Sequence, residues 1–236
     1  MPRPIVEWRQ AGSPLASWQT AVAAAGSYDS ELLNGFRVER AELRAVSASL
    51  EGLGVLGLAA LYLGGDISVT DFGGAAGDIG RDFLAAFPRA KYTVVENPTL
   101  VGLVRPGAVC FTTDIPSTCD LFFSSCALPY IADQAAVLQA AFASATRAVV
   151  LVRNCFSERK LCRVQRSWLF NNGNGPIPPG YKNVRISYPH QTIREGDVFD
   201  TARKHGFRCV SKLEEYSGVV PYRGLVYGRQ LVFLRD

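Results

Sequence analysis

A glycine-rich turn between a buried strand and a helix is the feature that most constrains the fold of this chain. The segment Val69 to Asp78 reads VTDFGGAAGD, in which an apolar run ends on Asp71 and is followed by Gly73, Gly74 and Gly77. Glycine adopts positive φ and has no Cβ, so a ligand can approach such a turn closely. The first N–H groups of the next helix then point toward that ligand. The sequence therefore predicts that a strand, a turn and a helix jointly bind a ligand.

The spacing of the small residues distinguishes two classes of ligand. The dinucleotide fingerprint has glycines at relative positions one, three and six. Aligning its last two glycines with Gly74 and Gly77 places Phe72 at the first, so the tight-turn glycine is missing. The alternative pattern is an acidic residue followed by small residues at alternate positions. It resembles the first motif of class I S-adenosylmethionine-dependent methyltransferases, with Ala75 at the usual middle glycine and Gly74 added beside it.

The resemblance extends over most of the chain, from about Trp18 to the C-terminus. The ordered segments that carry it are YDSELL, VTDFGG, YTVVENP, DLFFSSCALPYI, ISYP and GLVYGRQLVFL. This order is similar to a family of bacterial methyltransferases linked to surface-polysaccharide and secondary-metabolite loci. The resemblance implies a Rossmann-like fold, S-adenosylmethionine as cofactor and S-adenosylhomocysteine as product. The acceptor is not well defined for that family. Our leading hypothesis is methyl transfer to a small-molecule or glycosyl acceptor in small-molecule biosynthesis, with oxygen favoured over nitrogen as the methylated atom.

Composition limits the class of protein. The 236 residues are 48% hydrophobic and 19% charged, which suits one α/β domain with an appended segment. The net charge of +4 is spread without a lysine- or arginine-rich run, so no nucleic-acid partner is expected. The N-terminal stretch MPRPIVEWRQ has no apolar core typical of a signal peptide. Six cysteines without a C-x-x-C pair indicate reduced thiols of a cytoplasmic protein and no metal site.

Residues 1–65 are predicted to form a helical extension that covers the cofactor as a lid, or simply caps the edge of the sheet. Helices are expected over Leu15 to Ala25, ending at Gly26, and over Val38 to Leu50. The uncharged stretch Gly52 to Gly65 has only 14 residues, too few to span a bilayer, and is predicted to be a buried helix. The methyltransferase domain then occupies residues 66–236.

In that domain, short apolar runs alternate with amphipathic segments, which is typical of a parallel sheet covered by helices. Five parallel strands are predicted at Ile67 to Phe72, Tyr92 to Val95, Ala108 to Phe111, Leu121 to Ser124 and Ala148 to Val152. Two more, Phe207 to Leu213 and Leu225 to Leu234, are joined by a connection that contains Pro221. The fold class is therefore α/β: a mostly parallel, seven-stranded sheet with a C-terminal antiparallel hairpin.

The segment 156–189 breaks the alternation. It contains NNGNGPIPPG and shows little periodicity, which predicts a long loop with one short helix around Leu161 to Phe170. Because it follows the fifth strand at the carboxyl edge of the sheet, it is expected to be an insertion that faces the substrate. Thr192 and Glu195 then predict a capping box at the start of the next helix.

Ligands of doubly wound sheets bind outside the carboxyl ends of the strands. Glu96 ends the second strand, 19 residues beyond Gly77, where a carboxylate can accept both ribose hydroxyls. The resemblance implies that Asp71 acts on the methionine amino group through water or accepts N–H groups of the turn. Further cofactor candidates follow the second, third and fourth strands: Asn97, then Thr113 and Asp114 toward the adenine, then Ser124, Ser125 and Cys126 toward the methionine.

The acceptor side is less well defined by the sequence. Tyr28, Tyr130 and Tyr188 are candidates for contact with the acceptor, although core packing also explains Tyr130. His190 is the better candidate for a general base, with a non-catalytic role left open, because His205 lies in the last turn of a helix. Arg153 and Asn154 directly follow the fifth strand and are expected to orient the acceptor.

Two other functions remain open at this point. A nicotinamide-dependent oxidoreductase would also use Glu96, but Phe72 argues against it. A non-catalytic relative that keeps the fold as a binding module is the other alternative, since no catalytic base is unmistakable. The sequence also leaves a homodimer open.

Overall fold

The computed structural model of the protein describes residues 9–25, 27–215 and 224–236. The α-helices are α1 Trp18–Ala25, α2 Glu31–Glu42, α3 Leu50–Tyr62, α4 Asp78–Ala86, α5 Pro98–Leu103, α6 Gln134–Ser144 and α7 Glu195–Lys204. The strands are β1 Arg9–Ala11, β2 Ser68–Phe72, β3 Lys91–Val95, β4 Cys110–Thr112, β5 Cys119–Ser125, β6 Ala145–Ser157, β7 Cys162–Trp168, β8 Arg185–Gln191, β9 Ile193–Arg194, β10 Phe207–Glu214 and β11 Tyr227–Arg235. Short 3₁₀ helices lie at Leu128–Tyr130 and Leu169–Asn171.

The main sheet has the strand order β10-β11-β6-β5-β2-β3-β4, and β9 pairs with the end of β6. Strands β4, β3, β2, β5 and β6 are parallel, whereas β11 is antiparallel to both β6 and β10. The predicted fold class, a mostly parallel sheet closed by a C-terminal antiparallel hairpin, is confirmed. Gly26 and Pro221, which the sequence assigned to a helix end and to the hairpin connection, lie outside the described residues.

The central strands are apolar because helices cover both faces of the sheet. On one face, α3 and α4 pack Leu56 and Phe83 against β2 and β5. On the other face, α6 and α7 pack Phe142 and Val198 against β5, β6 and the C-terminal hairpin. All four of these side chains are fully buried. The two layers leave the carboxyl ends of the parallel strands uncovered by core helices, so that edge is available for a site.

The segment after β6 forms a second sheet with the order β1-β7-β8, so the predicted loop with a helix around Leu161 to Phe170 is wrong. Strand β7 carries polar side chains that are nonetheless buried, including Arg163, Gln165 and Ser167. A pattern search that expects apolar residues at buried positions of a strand therefore misses it. The insertion presents a structured polar face instead of an irregular loop.

Three further sequence expectations need correction. The predicted helix Val38 to Leu50 is wrong, because α2 ends at Glu42 and α3 begins only at Leu50. Helix α3 is not buried all round, since Leu58 and Tyr62 are 67% and 73% exposed. The capping box of α7 is also wrong: Arg194 is the N-cap, and the Thr192 hydroxyl accepts from Leu161 N instead (2.9 Å). No helix in the described ranges is both long and apolar enough to cross a bilayer.

Helix α2 is bound on both sides. Its Arg40 guanidinium donates to the carbonyl oxygens of Phe170 (2.7 Å), Asn172 (3.0 Å) and Gly175 (2.7 Å) in the insertion. On the opposite side, Arg81 of α4 donates to the carbonyl oxygen of Ala41 (2.8 Å). Helix α2, the insertion and α4 of the main domain are therefore joined by hydrogen bonds from charged donors, which are stronger than neutral ones.

This arrangement predicts that Arg40→Ala loosens the insertion. Three carbonyl oxygens lose a charged donor, so we expect the free energy of unfolding to fall by about 2–3 kcal/mol. Urea denaturation measures this loss, and amide exchange should become faster over residues 169–175. Arg105→Ala is the control: Arg105 is 82% exposed and pairs with Glu42 at 3.3 Å, so its removal should change stability by less than about 1 kcal/mol. Equal losses from the two variants, or unchanged exchange in the insertion, would contradict the assignment.

Candidate functional site

The turn after β2 places its alternate residues in the left-handed region. Gly73, Ala75 and Gly77 have φ values of 73°, 50° and 77°. These are the small-residue positions of the alternating pattern found in the sequence. Non-glycine residues rarely adopt this conformation, so Ala75 is held there at a cost of about 1 kcal/mol. The alternating pattern thus reflects a backbone requirement that glycine meets twice and alanine meets under strain.

Gly74 satisfies a different requirement, because the turn lies directly on the Asp71 side chain. A Cβ at Gly74 would overlap Asp71 Oδ2 and lie 3.1 Å from Val94 Cγ2. Asp71 is 1% exposed, and its Oδ2 accepts a hydrogen bond from the Tyr92 hydroxyl (2.8 Å). Its Oδ1 is buried and has no hydrogen-bond partner within the described ranges. The extra glycine is therefore explained by the close approach of the backbone to a buried carboxylate.

Burial also controls the protonation of this carboxyl group. It raises the pKa of Asp71 to about 7, the hydrogen bond from Tyr92 opposes that rise, and the nearby charge of Glu96 adds to it. Burial likewise raises the pKa of the Tyr92 hydroxyl well above its usual value. Asp71 can therefore hold a proton near neutral pH until a cation or a hydrogen-bond donor reaches it.

Glu96 extends from the end of β3 to the tip of the turn. Its Oε1 accepts from Ala75 N (3.1 Å), and its Oε2 accepts from Asn97 N (2.9 Å) and from Asn97 Nδ2 (3.0 Å). Two carboxylate oxygens can accept about four hydrogen bonds, so three contacts leave room for a ligand hydroxyl. The sequence correctly placed Glu96 beside the glycine turn.

Helix α2 reaches this carboxylate through Asn97. Asn34 of α2 is fully buried, and its Nδ2 donates to Asn97 Oδ1 (3.2 Å) and to Asp29 Oδ1 (2.7 Å). Asn97 also caps α5, because its Oδ1 accepts from Leu100 N (2.8 Å). A line of hydrogen bonds thus runs from the lid to the carboxylate at the end of β3.

A cluster of three tyrosines lies on the other side of the turn. The rings of Tyr28 and Tyr130 are stacked with centroids 4.5 Å apart and planes 3° apart. Tyr188 of β8 meets both rings edge-on, with centroid distances of 4.7 Å and 5.4 Å. A Cβ at Gly73 would overlap the methyl group of Ala127, three residues before Tyr130. The tyrosine cluster (Tyr28, Tyr130 and Tyr188) therefore adjoins the glycine turn, and the structure brings together all three predicted acceptor residues.

The remaining cofactor candidates lie at the same edge of the sheet in different settings. Thr113 and Asp114 occupy an exposed turn after β4, which is the strand beside β3. The Ser124 hydroxyl is buried and donates to the carbonyl oxygen of Phe72 (3.1 Å), so it joins β5 to β2. Ser125 and Cys126 are half-buried, and Cys126 has a left-handed backbone with φ 60°. Their contacts with a ligand stay a prediction.

The three catalytic candidates lie just beyond this edge. Arg153 has a left-handed backbone (φ 58°), and its backbone N–H donates to the Glu215 carboxylate. Asn154 is fully buried and donates from Nδ2 to the carbonyl oxygen of Val152 (3.0 Å). His190 belongs to β8 and is fully buried, with Nδ1 accepting from Arg163 Nε (3.3 Å). In the neutral tautomer this contact places the ring proton on Nε2. Catalytic roles for these residues stay predictions.

Sequence reasoning missed five residues of this region. They are Asn34, Arg37, Tyr92, Arg163 and Gln165. The first two could have been found from the helix that follows Ser30, because Asn34 and Arg37 are three residues apart and share a helix face. The strand residues of β7 gave no signal, since a buried polar face has the same composition as an exposed one.

No protein-family profile matches the chain, and no curated protein matches it by sequence. Solved structures are similar in fold. Magnesium protoporphyrin IX methyltransferase from Synechocystis PCC 6803, crystallised with bound SAH, aligns over 80% of this chain and 84% of its own, with 13% identity and a TM-score of 0.51. SAM-bound CalS10, an amino pentose methyltransferase from Micromonospora echinaspora, aligns over 84% and 94%, with 14% identity and a TM-score of 0.51.

A third similar structure covers nearly the whole chain. It is the 1,6-didemethyltoxoflavin-N1-methyltransferase of Burkholderia thailandensis, crystallised with 1,6-didemethyltoxoflavin and S-adenosylhomocysteine. The alignment covers 99% of this chain and 98% of that one, with 14% identity and a TM-score of 0.50. At these identities the likeness concerns the fold. The chain therefore has the Rossmann-like fold of class I methyltransferases.

Gly73 provides a test of the turn. Gly73→Ala combines a left-handed backbone with overlap of the new Cβ and Ala127, so we expect a loss of at least about 2 kcal/mol in unfolding free energy. The matched control is Gly107→Ala, where a Cβ would meet no atom within 4 Å. Adding Ala127→Gly to Gly73→Ala should recover part of the loss, because it removes the overlap and keeps only the backbone strain. Urea denaturation of the three variants measures each contribution, and no recovery in the double variant would contradict the packing explanation.

The raised pKa of Asp71 predicts a specific dependence of the free energy of unfolding on pH. Between the unfolded pKa near 3.8 and the folded pKa of about 7, the native state holds a proton that the unfolded state has lost. Stability should therefore fall as pH rises through this window, by up to about 1.4 kcal/mol per pH unit, and level off above it. Asp71→Asn should lack this component when unfolding is measured by urea between pH 4.5 and pH 8 in about half-unit steps.

Asp120→Asn is the control for that experiment. Burial alone would raise the pKa of Asp120, but hydrogen bonds from Ser68 N (2.8 Å) and Ser68 Oγ (2.7 Å) bring it below the usual value. Stability from such a depressed pKa is present above the unfolded pKa and is lost only in acid. The stability difference between wild type and Asp120→Asn should therefore stay constant over the same pH range. A constant difference for Asp71→Asn as well would refute the raised pKa of Asp71.

Proposed function

We propose that the protein is an S-adenosylmethionine-dependent methyltransferase that acts on a small-molecule or glycosyl acceptor, with oxygen as the favoured atom. The observation that carries the proposal is the position of Glu96, whose carboxylate bonds Ala75 N of the left-handed turn while retaining capacity for one further donor. A carboxylate there suits a ribose hydroxyl of an adenosyl group, and a second hydroxyl would share it by replacing one of the present donors. A cytoplasmic location, a biosynthetic role and a homodimer stay predictions from the sequence.

The residues present fit the cofactor. Gly73 and Gly77 let the turn pack closely on its neighbours, since a Cβ at Gly73 would overlap Ala127 Cβ and one at Gly77 would lie 2.9 Å from Phe111 Cζ. The buried Asp71 Oδ1, which has no partner in the described part of the chain, is suited to a ligand ammonium group or an ordered water. Asn97, Thr113 and Asp114 would border the adenosine, and Ser124, Ser125 and Cys126 the methionine part.

S-adenosylmethionine supplies a methyl group activated by a positively charged sulfur. The protein's task is therefore to bind the cofactor, orient the acceptor and exclude water from the site. The acidic pair Asp71 and Glu96 suits a cationic cofactor, because each carboxylate lowers the free energy of a nearby positive charge. The lid residue Asn34 and the tyrosine cluster would close the chamber to water. Correct alignment of an acceptor behind a methyl group can contribute several kcal/mol, about 7 or more in favourable cases.

The structural neighbours support the proposal at the level of fold. The three described above were crystallised with SAM or SAH, and their names give a magnesium porphyrin, an amino pentose and a toxoflavin precursor as acceptors. A nicotinamide cofactor is less well supported, because Phe72 stands where its fingerprint needs a tight-turn glycine. A catalytically silent binding module differs from the enzyme only in turnover.

Isothermal calorimetry with S-adenosylhomocysteine tests the cofactor. We expect binding in the micromolar range, weakened at least tenfold by Glu96→Ala, because the variant loses the acceptor of the ribose hydroxyls. Glu51→Ala is the control, since Glu51 is an exposed carboxylate on α3. NAD should bind more weakly than S-adenosylhomocysteine by at least tenfold.

Three outcomes decide between the alternatives. Absence of S-adenosylhomocysteine binding at millimolar concentration would remove the methyltransferase proposal. Preference for NAD would favour the oxidoreductase. Cofactor binding without methylation of any member of a broad panel of phenols, acids, amines and sugars would favour the binding module.

A further inference from the structure

The β7–β8 hairpin presents a buried polar face that cofactor binding alone does not explain. The antiparallel register pairs Arg163 with His190 and Gln165 with Tyr188, so all four side chains lie on one face. Each of them is at most 1% exposed. Gln165 Nε2 donates to the Tyr130 hydroxyl (3.3 Å). This face therefore adjoins the tyrosine cluster, on the side of the methyl-transfer chamber where an acceptor would lie.

The tyrosine cluster has the shape of a site for a flat ring. The nearly parallel rings of Tyr28 and Tyr130 form a stack, and Tyr188 closes its edge at an interplanar angle of 89° to Tyr28. Aromatic rings gain most from such offset-stacked and edge-on contacts when the partner is also planar. Tyr28 lies between α1 and α2, outside any regular element, and a planar ligand stacked on Tyr130 would take the place that the Tyr28 ring occupies in the stack.

Two buried guanidinium groups lie near this cluster, while the carboxylate of Asp29, next to Tyr28 in the chain, accepts a hydrogen bond from Asn34 Nδ2 (2.7 Å). Arg37 of α2 is 7% exposed, donates to the Tyr28 hydroxyl and places its guanidinium 4.4 Å from the centre of the Tyr28 ring. No ion pair joins Arg37 to a carboxylate in residues 9–25, 27–215 and 224–236. Arg163 adds a second buried guanidinium at the hairpin side. A buried cation favours an anionic ligand and disfavours a protonated amine.

We propose that the acceptor is a planar hydroxylated aromatic or heteroaromatic ring that binds as its oxyanion in the tyrosine cluster, near Arg37. This inference rests on the proposed function. Methyl transfer then needs no general base. A lone pair of the ring oxyanion forms the new O–CH3 bond, and the C–S bond breaks with its electron pair going to sulfur. The positive sulfonium and the negative oxygen are both neutralised, and no proton is transferred. The arginines contribute by favouring the ionised form of the hydroxyl before the reaction.

The probe is 4-nitrophenol, whose anion is distinguished from the neutral form by its visible absorbance. Titrated into the protein saturated with S-adenosylhomocysteine, it should bind with its apparent pKa lowered by about one unit. The neutral isostere 4-nitroanisole and the sugar methyl glucoside should bind at least tenfold more weakly. Arg37→Gln should weaken nitrophenolate binding at least tenfold, whereas Arg37→Lys, which retains the charge, should recover part of it. Arg105→Gln is the exposed control and should have no effect.

The outcomes separate this inference from the function on which it depends. Calorimetry with S-adenosylhomocysteine on the same samples reports whether each variant is folded and whether the cofactor proposal holds. Normal cofactor binding with no nitrophenolate binding, with equal binding of 4-nitroanisole, or with an unshifted pKa would overturn the anionic aromatic acceptor alone. Failure of S-adenosylhomocysteine to bind the unmodified protein would overturn both proposals.

Discussion

Burial of the Asp71 carboxylate beneath the turn after β2 is the contact on which the site depends. The turn can lie on that carboxylate only because Gly74 has no side chain. With the backbone held there, Gly73, Ala75 and Gly77 must adopt left-handed conformations to reach the start of α4. The strain at Ala75 is offset by the hydrogen bond from its N–H to Glu96. The turn, the buried acid and the carboxylate at the end of β3 therefore form one interdependent unit.

Helix α2 extends this unit to the rest of the molecule. One side of α2 carries Asn34, which bonds Asn97 beside Glu96, and Arg37, which holds Tyr28. Another side carries Arg40, whose three bonds to backbone carbonyls fix the insertion. A displacement of α2 would therefore disturb the Glu96 carboxylate and the tyrosine cluster together. If α2 acts as the proposed lid, closure over the cofactor and assembly of the acceptor side would depend on the same helix.

The main sheet could be predicted from sequence because its strands are apolar on both faces and lie between clear turn signals. The ligand-facing turn was predictable for a related reason, since glycines at alternate positions mark a backbone requirement. The β7–β8 hairpin could not be found in this way, because Arg163 and Gln165 are buried polar residues in a strand. The boundary between α2 and α3 was missed because Leu43, Val46 and Leu50 continue the helical spacing of apolar residues past Glu42, although all three are exposed. Sequence patterns report burial of apolar groups, and these elements depart from that rule.

The two halves of the site carry opposite charge. Asp71 and Glu96 lie at the ends of β2 and β3, while Arg37 and Arg163 flank the tyrosine cluster. A cationic cofactor and an anionic acceptor would each reduce the cost of burying the protein charges nearest to it, and each would attract the other. In the proposed reaction, methyl transfer would leave both ligands neutral at the reacting atoms. The same charges that assemble the reactants would then hold the products less tightly, which couples the chemistry of the reaction to the release of what it forms.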